Sequence, residues 1–259
     1  MKIGAQMYTV HKFTQDLDGF AESLKKIADI GYTSVQVSGT CAYEGEWLAE
    51  QLKANGLTCD LTHYAPAEML ENPIAVVEKH KKFGCKYIGL GALPTLWEDG
   101  VRVNTRAKWE KFAEEFRPVA DVFAQNGAYL MYHNHDFEFE MAEDILPWKY
   151  IKENFSLSQL GFTLDTHWVL AGGHDPIVEL NDLVGRTPCV HFKDMTATLD
   201  GERRFACVGS GIMNFDRIIK TCVDNGVEFA FVEQDDCYGE DPFVCLKRSY
   251  DYLKSMGLN

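Results

Sequence analysis

Four apolar runs in this chain end in side chains equipped for chemistry. Ala128-Tyr-Leu-Met-Tyr-His-Asn-His-Asp-Phe-Glu-Phe-Glu140 sets two imidazoles behind an apolar segment, with Asp136 and Glu138 close after them. Thr163-Leu-Asp-Thr-His-Trp168, Val190-His-Phe-Lys-Asp194 and Phe231-Val-Glu-Gln-Asp-Asp236 repeat the plan. Polar groups closing a buried strand lose hydration unless they serve one another or a common ligand. Side chains two apart in a strand share a face, so His133 goes with His135, Thr163 with Asp165, His191 with Lys193 and Glu233 with Asp235. Imidazole nitrogen mixed with carboxylate oxygen suits manganese, zinc, cobalt or iron, and magnesium where oxygen dominates. One divalent cation shared by these strand ends is the economical reading. Any one of these residues alone reads equally well as a solvated loop polar, but four consecutive strands ending alike do not.

The elements that must position them alternate between two periods. Short apolar runs recur at Lys2 to Tyr8, Ser34 to Val37, Thr58 to Thr62, Tyr87 to Leu90, Ala128 to Tyr132, Gly161 to Leu164, Cys189 to Phe192 and Glu228 to Val232. Amphipathic segments of helical spacing lie between or after them, at Leu17 to Ile30, Trp47 to Ala54, Ile74 to Phe83, Trp109 to Gln125, Trp148 to Glu153, Ile177 to Leu183, Phe215 to Asn225 and Phe243 to Lys254. Gly31, Gly56, Gly84, Gly127 and Gly226 each stand where a helix must end in a residue tolerant of positive φ. Eight strands alternating with eight helices is the count of a closed parallel α/β barrel, a single (β/α)8 TIM barrel over residues 1–259. An open doubly wound sheet also alternates, but its dinucleotide fingerprint is missing. Gly89-Leu-Gly-Ala-Leu-Pro94 lacks the third glycine and carries proline where a helix should continue. In a barrel the chemistry sits at the carboxyl ends of the strands, where the polar tips fall.

The 259 residues are 46% hydrophobic, enough for a large core, and carry a formal net charge of −14. A phosphate backbone would be repelled by such a surface without a strong basic patch, so no nucleic-acid partner is expected. No apolar run reaches about eighteen residues, and the start resembles no leader, so no membrane partner is expected. Eight cysteines form no C-x-x-C pair and several lie within apolar runs, which fits a reducing cytoplasm.

Together, Tyr132-His-Asn-His-Asp-Phe-Glu-Phe139, Leu164-Asp-Thr-His-Trp168, His191-Phe-Lys-Asp194, Gly209-Ser-Gly-Ile-Met-Asn-Phe215 and Val232-Glu-Gln-Asp235 resemble the xylose isomerase-like barrel superfamily. The likeness is to the group called sugar phosphate isomerases/epimerases, and runs from Ile3 to the C-terminal helix. In relatives such as the ketohexose 3-epimerases a divalent metal is held by a Glu, an Asp, a His and a second Glu. The resemblance therefore implies Asp165, His191 and Glu233 as ligands. Where the first glutamate belongs, this chain has His133, and Glu138 follows five residues later. Either His133 replaces it as ligand, leaving Glu138 near substrate, or the strand end bends to bring Glu138 to the metal. The His-Asn-His variant is similar to inosose dehydratases and to relatives acting on 3-keto sugars or glycosides.

That resemblance implies a metal-dependent isomerase or epimerase, most readily a manganese enzyme. It would take a proton from beside a sugar carbonyl and pass through an enediolate. The runner-up is a lyase or dehydratase on a keto sugar, keto-inositol or 3-keto-glycoside. Candidates for the base are His135, Glu138, His167 and Glu233. His63, His167, Lys193 and Trp168 are carried as substrate-binding candidates, Trp168 ahead of Tyr8, Tyr64, Trp97 and Phe139 as a stacking face. His174 reads as a helix-entry residue. The amides of Gly209-Ser-Gly211 read first as a glycine turn and second as a cradle for a phosphate or hydroxyl. The superfamily also holds apurinic-site endonucleases, against which the acidic charge and short ligand set argue, and a non-catalytic sugar-binding subunit is a third class. A small-molecule sugar is the expected partner, and a homo-oligomer is left open.

Overall fold

The computed structural model describes residues 1–93 and 96–258. Eight parallel strands close a barrel: β1 (Lys2–Gln6), β2 (Ser34–Val37), β3 (Thr58–His63), β4 (Tyr87–Leu90), β5 (Tyr129–His133), β6 (Leu160–Asp165), β7 (Cys189–Phe192) and β8 (Phe229–Val232). Each pairs with its sequence neighbours and β1 closes on β8, so the chain is a (β/α)8 TIM barrel. Pro94, which helped to set the dinucleotide fingerprint aside, lies outside the described residues.

Ten helices surround the strands among the described residues: α1 (Leu17–Ile30), α2 (Gly45–Ala54), α3 (Pro66–Glu71), α4 (Pro73–Lys81), α5 (Arg106–Gln125), α6 (Pro147–Asn154), α7 (Thr166–Ala171), α8 (Pro176–Asp182), α9 (Phe215–Asp224) and α10 (Pro242–Ser255). Asp16 caps α1 by accepting from Gly19 N, and Gly31 ends it at φ 119°. Gly56, Gly84, Gly127 and Gly226 also hold positive φ, as their places before strands require.

Three kinds of feature depart from the alternation read in the sequence. The first strand stops at Gln6, and Met7–Phe13 coils into a 3-10 turn. Helices α3 and α7 are six residues each, too short to show a helical period. Two hairpins, Trp97–Arg102 and Asp194–Ala206, rise from the carboxyl side of the barrel. Among the described residues no helix is long and apolar enough to cross a membrane.

Strand alternation divides the core in two. Outward residues such as Leu130, Tyr132, Phe162, Val190 and Phe192 pack beneath the helices in one large cluster. Leu61, Tyr87, Met131, Cys189 and Phe231 fill the barrel interior. These inward positions continue, two residues on, into polar tips: Met131 into His133, Cys189 into His191, Phe231 into Glu233. Gly161 leaves room for this floor, since a Cβ there would come within 2.5 Å of the Tyr129 ring and 2.8 Å of Met131 sulfur. Register sets the tips level, with Asp165 opposite His191 and Val232 opposite Phe192.

Candidate metal centre

His133, Asp165, His191 and Glu233 are buried at the ends of β5 to β8, and one ligand atom of each lies within 4.8 Å of the others. Asp165 Oδ2 is 3.3 Å from His133 Nε2 and 3.6 Å from His191 Nδ1, which is 2.9 Å from Glu233 Oε2. Ligands about 2 Å from a common ion stand at separations of this order.

Each of the four is anchored through its second polar atom. His133 Nδ1 donates to Gly91 O at 3.1 Å, and His191 Nε2 donates to Gln36 Oε1 at 2.6 Å. Both rings thus spend their N–H on an outer oxygen and turn the other nitrogen inward, the arrangement typical of metal-ligating histidine. Asp165 Oδ1 accepts from Trp168 N at 3.0 Å, so the carboxylate also caps α7. Glu233 Oε1 accepts from Gln6 Nε2 at 3.0 Å. His191 Nδ1 and Glu233 Oε2 are buried with no well-formed hydrogen bond, held only in close ionic contact within the cluster. Donor atoms left so in a mixed nitrogen and oxygen set fit a divalent metal.

Lys193, only 1% exposed, completes the charge pattern. Its Nζ lies 3.2 Å from Asp165, 3.0 Å from Glu233 and 3.0 Å from Asp235. Three carboxylates, buried Asp165 and Glu233 and part-exposed Asp235, against one ammonium leave two negative charges, which one divalent cation would neutralise. Burial opposes ionisation of Asp165 and Glu233, but Lys193 and the imidazoles outweigh it and hold both below the usual carboxylate range. Burial likewise opposes charging of His191, but Glu233 and Asp165 prevail and raise it. Burial, with His191 beside it, lowers His133.

Above the cluster opens a cavity of about 320 Å³ lined in part by Gln6, Tyr8, Ser38, His63, His135 and Asp235. The profile of the xylose isomerase-like TIM barrel family matches residues 24–236, a span that holds all four clustered residues. The chain belongs to the xylose isomerase-like TIM barrel family. An inosose dehydratase of Geobacillus thermodenitrificans is 20% identical over 91% of this chain and 89% of that protein. A sugar phosphate isomerase/epimerase from Parabacteroides distasonis superposes at a TM-score of 0.80 with 21% identity, covering 98% of this chain and 93% of that one. An L-ribulose 3-epimerase does so at 0.74 with 15% identity, covering 98% and 94%.

Within this xylose isomerase-like barrel the remaining candidate residues take distinct places. His135 lines the cavity, stacked on Phe137 with centroids 5.0 Å apart and flanked by Trp168 at 5.5 Å. Its Nδ1 is buried without a partner, and burial, with His133 close by, pushes it well below its ordinary value. His63 also lines the cavity, with Nδ1 3.3 Å from Ser38 Oγ and Nε2 unpartnered. Glu138 is fully buried outside the cluster. Its oxygens accept from Tyr132 OH and from His135 N, both at 2.7 Å, and burial pushes its carboxyl up to about 8 against those donors.

His167 is not part of the cavity lining; its Nδ1 is 3.3 Å from Asp194 O and its ring lies against Phe205. Trp168 lies under the Lys193 ammonium, 5.3 Å from its centroid. Of the other aromatics, Tyr8 lines the cavity, whereas Trp97 is exposed on a hairpin, Tyr64 bonds Glu68, and Phe139 packs on Trp148. His174 stands in the turn before α8 and meets Glu179 at 3.0 Å. The Gly209-Ser-Gly211 amides are not free to cradle a phosphate. Asp194 accepts from Gly209 N at 3.0 Å and from Gly211 N at 2.9 Å.

Gln6 and Gln36 lie outside the last four strands, and Asn134 sits between the two histidines of β5's tip. Asn134 Oδ1 accepts from Asp165 N at 2.9 Å and so ties the β5 tip to β6. The signal for the glutamines was present: each closes or nearly closes an apolar run, in Ile3-Gly-Ala-Gln6 and Ser34-Val-Gln-Val37.

Proposed function

We propose that this protein is a divalent-metal-dependent enzyme of the isomerase and epimerase kind, acting on a small sugar or sugar derivative. It removes the proton beside the carbonyl and proceeds through an enediolate. The observation that carries this reading is the double anchoring of His133, Asp165, His191 and Glu233 beneath a cavity lined by an unpaired imidazole. A divalent cation held by those four would polarise a carbonyl and its neighbouring hydroxyl. Manganese is the first ion to test, ahead of zinc, cobalt, iron and magnesium.

The chain's own residues do the rest. His135 lines the cavity with no partner on its Nδ1 and takes the proton, with Phe137 and Trp168 fixing its plane. Lys193, kept charged by its carboxylates, lines the cavity and sets its positive charge beside a substrate oxygen. His63 contacts the sugar, and Trp168 backs His135 and Lys193. His133 is the fourth ligand, and Glu138 acts by holding the His135 backbone. His167 serves the wall behind Trp168.

A second reading, dehydration, is favoured by one observation. The cavity pairs an imidazole, His135, with the carboxyl group of Asp235, whereas symmetric epimerases set two glutamates against opposite faces. One base and one acid of unlike kind suit loss of a hydroxyl after the shared first step, and the inosose dehydratase likeness points the same way. We also place the protein in a reducing cytoplasm, since all eight cysteines are free thiols. Incubating the manganese-loaded protein with ketohexoses and keto-inositols in deuterated water tests the reading. Deuterium in recovered substrate or product is the expected result, and its absence from every ketone contradicts it.

A further inference from the structure

We propose that the substrate is an uncharged polyhydroxylated ketone carrying neither phosphate nor carboxylate. This rests on the proton-abstraction reading and narrows it. Among the described residues, Lys193 is the one Lys or Arg that lines the cavity. An ammonium has three N–H donors, and Lys193 faces three carboxylates at 3.0 to 3.2 Å. An anionic group would have to displace one of them and then sit beside Glu233 and Asp235.

Barrels usually hold a phosphate with the loops after strands seven and eight and a helix N-terminus. Here that machinery is already taken. After β7, Asp194 accepts from Met195 N, Gly209 N, Gly211 N and Met213 N. The loop is closed tightly on that carboxylate, since a Cβ on Gly211 would come within 2.3 Å of Asp194 Oδ1. Asn214 caps α9 with its own side chain, and Asp241 caps α10, whose first residue is Pro242. After β8 the chain offers Asp235 and Asp236 rather than cations.

Arginines on the same end are spent as well. Arg102 meets Glu140 at 2.5 Å and Asp136 at 3.6 Å, Arg203 donates to Ala171 O, and Arg204 pairs with Glu202. Lys12, on the turn after β1, is exposed and outside the lining. What the cavity does present is Gln6, Tyr8, Ser38, His63 and Asp235, groups matched to hydroxyls. The sugar phosphate in the name of the Parabacteroides distasonis relative therefore does not carry over to this chain.

The test uses the manganese-loaded full chain with D-ribulose, D-fructose and a keto-inositol, each beside its phosphate ester. Proton exchange in deuterated water is read together with equilibrium dialysis of inorganic phosphate. We expect exchange with an unphosphorylated ketone, exchange at least about a hundredfold slower with its ester, and no phosphate retention at the site. An ester that exchanges as fast as its parent overturns the inference, as does inorganic phosphate bound by wild type and released on adding an ester. The dialysis needs no turnover, so phosphate binding removes this inference alone. Absence of exchange with every compound removes the proton-abstraction reading beneath it.

Discussion

Gln36 Oε1 stands 2.6 Å from His191 Nε2, so a side chain of β2 fixes the ring of a candidate ligand on β7, three strands away around the barrel. The bond assigns the proton to Nε2 and leaves Nδ1 aimed at Asp165 and Glu233. Gln36→Leu should lower manganese affinity by about 10–100-fold, the usual cost of losing such an outer partner. Gln36→Glu keeps the acceptor and should stay near wild type. Calorimetric titration of the stripped protein checks both, and equal affinity in Gln36→Leu would show that the ring needs no such support.

Glu138 is expected to act on His135 and not on the metal. Glu138→Gln should bind one manganese as wild type does, with turnover reduced. Glu138→Ala leaves Tyr132 OH and His135 N–H without partners in a dry interior, a loss of roughly 2–4 kcal/mol. Urea unfolding measures that loss, and metal analysis of Glu138→Gln showing an empty centre would move Glu138 into the ligand set.

Most of this architecture was legible in the sequence because strand and helix periods are strong in long elements. Leu17–Ile30 and Ser34–Val37 agree residue for residue with the observed α1 and β2. The tips of β5 to β8 were legible because parity carries a buried floor residue into each polar end. What stayed hidden depends on distance in sequence. Nothing near His191 announces that Gln36, 155 residues earlier, holds its ring. Nothing local shows that Asp194 fills the amides of a loop 15 to 19 residues on. Glu138 could be placed near the metal or away from it until the turn after β5 was seen to fold its carboxylate back onto His135 N.

Stability should also carry the mark of His80, buried between α4 and β3. Its Nδ1 lies 2.7 Å from Val76 O and its Nε2 2.9 Å from Thr62 Oγ1, and burial lowers it from 6.5 to about 4. The unfolded chain then binds the extra proton between those values. Stability from this site is full above pH 6.5 and lost as the pH falls to about 4, by up to roughly 3 kcal/mol. Urea unfolding of wild type and His80→Gln at pH 7 and pH 5 should show the variant less sensitive to pH. Parallel curves would mean that His80 titrates alike in both states.

His135→Ala should retain one manganese and lose turnover by about a hundredfold or more, as removal of a general base does. The readout is exchange of the sugar proton with solvent, followed by mass. An unchanged exchange rate would transfer the role to Glu233, with Glu138 next.

The central claim is that proton abstraction here depends on one cation held by His133, Asp165, His191 and Glu233. The most direct measurement is solvent exchange of a ketone substrate by protein stripped with a chelator and then titrated with manganese. Exchange should be absent from the stripped protein, rise linearly and break at one equivalent, while Asp165→Ala and His191→Ala stay inactive at every ratio. Full exchange by the stripped protein, or by Asp165→Ala, would contradict it.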